Sequence, residues 1–140
     1  MSATNLNTVR STIEQRLFTE LNEAPIIPIV FNNMPFESIT EDSFVQSTIS
    51  FGTGEITSQG NETTANTLIV GLLTLNVFTK QGIGYGENLT ICKRLRDLYN
   101  RITVSGVIFD AVVGPEIIDQ PPEGKFATQI RITFETYEAL

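Results

Sequence analysis

A chain of 140 residues, 41% apolar and 18% charged, has the length and balance of one folded domain rather than of a disordered segment. Its formal net charge of −7 argues against the clustered Lys and Arg surface that grips nucleic-acid phosphates. With no histidine and one cysteine, Cys92, it excludes His-based triads, Cys–His dyads, Cys/His zinc sites and any disulfide within the chain.

Met1 to Asn7 is polar, without the apolar core of a signal peptide, and the apolar runs fall far short of a membrane span. A soluble protein made inside the cell is therefore expected. Leu6, Val9, Ile13, Leu17 and Leu21 recur at helical spacing, with Arg10, Glu14, Gln15 and Glu20 on other faces. This predicts an amphipathic helix from about Asn7 to Leu21, with capping candidates at Thr4 to Asn7 and a stop at Asn22-Glu23-Ala24-Pro25. Ile26 to Phe31 reads as a short strand, and Pro28 marks it as an edge or a strand entry. Asn32 to Phe36 is rich in turn residues.

From Ser43 to Phe51 the pattern alternates, with Val45, Ile49 and Phe51 on one face and Gln46, Thr48 and Ser50 on the other. Gly52 to Thr67, sixteen residues rich in Gly, Thr, Ser and Asn, is long for a plain connection; it is expected to be functional or flexible, a flexible polar loop or an extended hairpin arm. Leu68 to Thr79 is the strongest strand: Leu73, Leu75 and Val77 face one way, Thr74 and Asn76 the other, and LIVGLL is apolar on both faces.

Ile91, Leu95, Leu98 and Ile102 place a second amphipathic helix over Glu87 to Asn100. Strands are predicted over Val104 to Val113, Glu116 to Ile118 and Phe126 to Tyr137, the last with Gln129, Arg131, Thr133 and Glu135 on its polar face and a turn at Pro121 to Gly124 before it. The order α-β-β-β-α-β-β, with room for one more short strand, specifies a single α+β domain: a mixed or mainly antiparallel sheet with two amphipathic helices on one face.

The glycine cluster Gly82-Ile83-Gly84-Tyr85-Gly86 invites a phosphate-loop reading. Yet it gives G-x-G-x-G with no Lys-Ser/Thr after it, and Glu87 puts a carboxylate where a phosphate would sit. A turn from strand to helix is the better reading. Glu37, Glu41 and Asp42, and likewise Glu116, Asp119 and Glu123, are acidic patches open to weak cation binding or to simple solvation; neither has an EF-hand frame. The hydroxyls lack a histidine base, and Tyr85, Tyr99 and Tyr137 lack basic neighbours for base stacking. Cys92 reads as a small core hydrophobe. Asn61-Glu62-Thr63 and Asn88-Leu89-Thr90 match the glycosylation sequon but follow no secretory signal. No catalytic residue, cofactor or metal is assigned.

The first helix followed by PIIPIVFNNMPFE, then FVQSTISF, GLLTLNVFTKQGIGYGENL, a helix ending LRDLYN, and GKFATQIRITFETYE together resemble the lambda-like tail terminator family of long-tailed double-stranded DNA bacteriophages. The resemblance spans nearly the whole chain in order and rests on hydrophobic phasing combined with turn residues. It implies a virion protein of the neck: a homo-hexameric ring that ends tail-tube polymerisation, meets the tail tube protein and the head connector, and lets DNA pass without binding its sequence. Candidate interface residues are Gly52, Glu55, Thr57, Asn61 and Thr64 of the polar loop, and Thr74, Asn76, Arg131, Thr133 and Glu135 on polar strand faces. Two alternatives stay open: a tail tube or other neck protein, and a small ligand-binding or enzymatic domain using Gly82 to Gly86.

Overall fold

Helix α1 spans Leu6–Leu21 and buries its i, i+4 stripe, with Val9, Ile13, Leu17 and Leu21 all fully inaccessible. The structure, a computed structural model, describes residues 6–32, 43–52, 55–56, 66–82, 84–121 and 124–139. After α1 come β1 (Ile29–Val30), β2 (Phe44–Phe51), β3 (Glu55–Ile56) and β4 (Asn66–Lys80). Helix α2 (Gly86–Tyr99) is followed by β5 (Thr103–Val104), β6 (Val107–Phe109), β7 (Val113–Ile117) and β8 (Lys125–Ala139).

The strands form one sheet in the order β1-β2-β4-β8-β6-β5, with β3 also on β4 and β7 also on β8. All pairs are antiparallel except β1 with β2. β4 and β8 are its spine, paired without a break from Asn66↔Ala139 to Lys80↔Lys125. Both helices cover one face, over a single core joining Ile13, Leu17, Leu95 and Tyr99 to Val45, Leu73, Leu75, Ile130 and Ile132. The domain is α+β, as the sequence pattern specifies.

Several boundaries move, each for a local reason. Ile26 to Phe31 is not a six-residue strand: only Ile29–Val30 pair, because Pro28 has no N–H and serves through its carbonyl, which accepts from the Val45 amide at 2.9 Å. Val104 to Val113 is not one strand either. Ser105 and Gly106, at φ 49° and 83°, form a two-residue turn with both central residues left-handed, which folds β5 back on β6. Of Glu116 to Ile118, Glu116 and Ile117 end a longer edge strand, Val113–Ile117, whose register shifts between Val113 and Glu116, and Ile118 lies just past it. Within Gly52 to Thr67, Glu55 and Ile56 pair with Leu68 and Thr67, the base of a hairpin.

Gly71 allows the close approach of β2, β4 and β8. A Cβ there would clash with the Phe134 ring and lie 2.8 Å from the Ser50 carbonyl oxygen. A second small cluster, absent from the alternation read in the sequence, lies on the helix-free face: Val30, Phe44, Phe78 and Ala127, with the Phe44 and Phe78 rings stacked at 4.5 Å.

Candidate functional site

The helix-free face of the sheet gathers five of the residues read as an interface from sequence. Register sets Thr74 opposite Arg131, Asn76 opposite Gln129, Leu72 opposite Thr133 and Val70 opposite Glu135. Across β2, β4 and β8 the side-chain amides form a ladder. Gln129 Nε2 donates to Asn76 Oδ1 at 3.0 Å, and Asn76 Nδ2 donates to Gln46 Oε1 at 3.0 Å. Beside it Arg131 pairs with Glu116 of β7, an exposed ion pair of small energetic weight. Gln46, Gln129 and Glu116 complete rows that the sequence reading began with Asn76 and Arg131; strand alternation shows their face, but only the pairing shows that they meet.

Of the other interface candidates, Gly52 ends β2, its amide donating to the Val70 carbonyl, and Glu55 lies in β3. Thr57, Asn61 and Thr64 lie outside the described residues. So do Glu37, Glu41, Asp42 and Glu123 of the acidic patches, whereas Glu116 is held by Arg131 and Asp119 is exposed. Among the described residues no three Asp, Glu or Cys side chains gather to hold a metal ion.

The glycine segment has the geometry of a turn. Gly82 and Gly84 take φ of 92° and 90°, where a side chain is strained, and Gly86 opens α2. Glu87, in the first turn of α2, accepts a hydrogen bond from Ser43 Oγ at 2.9 Å. Tyr85 stacks edge-on against Phe126 at 5.2 Å, which fixes the entry to the helix.

Beneath α2 lies a buried polar knot that the sequence did not announce. Asn88, fully buried, donates to the Val77 carbonyl at 3.1 Å and accepts from Thr128 Oγ1 at 2.6 Å. Cys92 Sγ lies 3.4 Å from Asn88 Oδ1 and 3.3 Å from Thr128 Oγ1, and burial pushes its thiol pKa up. An inert thiol tied into packing matches the reading of Cys92 as a core residue. Asn88 is no glycan acceptor, since its amide is inside the protein. Tyr99, also buried, donates to the Ile13 carbonyl at 2.8 Å, linking the helices.

No family model matches the sequence, and no curated protein matches it. Eighteen solved chains resemble the structure. One of them, of similar length, superposes with a TM-score of 0.71 at 13% identity, over 95% of this chain and 96% of its own. That likeness establishes a shared fold and nothing more. No helix among the described residues is long and apolar enough to cross a membrane.

Proposed function

We propose that the chain is a tail terminator of a long-tailed double-stranded DNA phage, a subunit of the ring that caps the tail tube, stops its growth and meets the head connector. The observation that supports this reading best is the helix-free sheet face. It carries a ladder of neutral amides, Gln46–Asn76–Gln129, and a self-neutralised Arg131–Glu116 pair. Around the ladder this surface offers hydrogen bonds to water and a cation already held by Glu116, with Lys80 and Lys125 set apart at one end of β4 and β8, so DNA slides past it instead of binding. Among the described residues the polar groups beneath α2 are spent on packing. The sequence resemblance, carried by segments that correspond in order to α1, β2, β4, the glycine turn, α2 and β8, points the same way.

Silencing the gene in an infected culture tests the proposal. Tail tubes of uncontrolled length, with heads left unjoined, are the expected outcome; tails of normal length joined to heads would contradict it. A tail tube protein would instead leave no tubes at all.

A further inference from the structure

The charges are segregated. Residues 6–23 and 84–102, the helical layer and its flanks, hold six of the nine Lys and Arg but five of the sixteen Asp and Glu, so the helical layer is slightly positive and the strands and connections carry −8 against the overall −7. Three of these cations are already used: Arg10 on Glu14, Lys93 on Asp97 and Arg94 on Glu20. Arg16 is held by the Leu98 carbonyl at 2.8 Å. Arg96 and Arg101 are exposed and make no ion pair among the described residues. Of the two, Arg96 stands on α2 itself, whereas Arg101, at φ 54°, lies past its end.

On the other side of the sheet, beyond the amide ladder, lies a groove of about 200 Å³. Val70 and Ile108 give it aliphatic walls, the strand backbone at Phe109 and Phe134, whose rings point into the core, forms its floor, and Asp110 and Glu135 line it with carboxylates. Glu135 stands in register between Val70 and Ile108 and makes no ion pair among the described residues. An unpaired carboxylate between two aliphatic side chains fits one kind of guest well: an apolar stem ending in a planar cation. Arginine is that guest, because its methylenes cover apolar surface while its guanidinium forks onto carboxylate.

We infer that the groove takes the Arg96 side chain of a second copy of this chain. Arg96 stands on the helical layer and the groove opens on the opposite face of the sheet, so a chain cannot satisfy itself. Each copy then offers one donor and one acceptor on opposite faces. Such a contact is heterologous and propagates from copy to copy, and it closes into a ring when the rotation between neighbours divides a full turn. It covers the apolar end of the helix-free face and leaves the amide ladder wet. The inference rests on the ring reading above, but its test uses purified protein alone, so it stands or falls separately from any role in a phage tail.

Charge reversal in trans decides it, read by analytical ultracentrifugation up to millimolar concentration. The native chain should self-associate, while R96E and E135R should each remain monomeric and melt like the native chain, both positions lying at the surface. An equimolar mixture of the two variants pairs Arg96 of one with Glu135 of the other and, at the next contact, the two substituted side chains with their charges exchanged, so it should assemble although neither variant does so alone. The double variant R96E/E135R should regain assembly through the swapped pair. Should E135R fail to fold, E135Q keeps the volume and should still lose assembly. A native chain that stays monomeric throughout, a single variant that assembles like the native chain, or a mixture of the two variants that stays monomeric would each overturn the inference.

Discussion

The side-chain amide of Asn88 in α2 donates to the main-chain carbonyl of Val77 in β4 at 3.1 Å, with neither group in contact with water. This bond ties the second helix to the central strand, and Thr128 of β8 joins it from the neighbouring strand. Replacing Asn88 by Ala leaves the Thr128 hydroxyl without its acceptor. A loss of about 2–3 kcal/mol is expected, because stranded buried polar groups cost more than an average hydrogen bond contributes. Urea unfolding checks this. Asn61→Ala, at the other sequon, should leave the midpoint unchanged.

Tyr99 gives the protein an alkaline limit. Burial raises its phenol pKa well above the ordinary 10.0, so the folded chain holds its proton where the unfolded chain releases it. The unfolded state then binds fewer protons, and stability falls as pH rises. The contribution is whole below pH 10.0 and declines above it. Thermal melts across that range should show a decline that Tyr99→Phe removes, at the cost of about 1 kcal/mol near neutrality for the lost bond to the Ile13 carbonyl.

Two glycines differ in what they forbid. Gly84 has open space around its Cβ position but a φ of 90°, so Gly84→Val is expected to cost about 1–3 kcal/mol through backbone strain alone. At Gly71 the obstacle is volume: a Cβ would lie 2.7 Å from Phe134 Cε1. Gly71→Ala should therefore destabilise by about 1–3 kcal/mol, and Phe134→Leu should restore part of that loss, whereas no such partner rescues Gly84→Val. A double-mutant cycle in denaturant separates the two cases.

The connection between β3 and β4 offers a test in the particle. Joining Ile56 to Thr67 through a Gly-Asn turn keeps the Glu55↔Leu68 and Ile56↔Thr67 pairs and removes residues 57–66. Calorimetry of the purified variant should show a nearly unchanged melting temperature. If these residues contact a neighbour or the tail tube, as proposed, tails will be abnormally long or unjoined to heads; normal infectious particles would make the segment a passive connection.

The sequence carried the architecture through periodicity. Val9, Ile13, Leu17 and Leu21 on one helical stripe, and Leu73, Leu75 and Val77 against Thr74 and Asn76, are local patterns, and both survive folding. What it did not carry depends on partners distant in the chain. Gln46, Asn76 and Gln129 form a ladder only because β2, β4 and β8 are neighbours in one register. Asn32 reads as a turn residue, yet its side-chain amide accepts from the Ile49 N–H at 3.0 Å and donates to the Ile49 carbonyl at 3.2 Å, standing in for a strand at the sheet edge. Asn88 shares the helical stripe of Ile91 and Leu95, but its partners Val77 and Thr128 are known only once α2 is laid on the sheet. The Ser105-Gly106 turn was legible as a dipeptide signal, but the apolar residues around it resembled one continuous strand.

A ring at the head-proximal end of the tail is the central claim, and a reconstruction of the virion neck tests it most directly. The density should hold a single closed ring of this chain between tube and connector, with the Gln46–Asn76–Gln129 rows turned toward the DNA path. A neck with no such ring, or this chain repeated along the length of the tube, would contradict it.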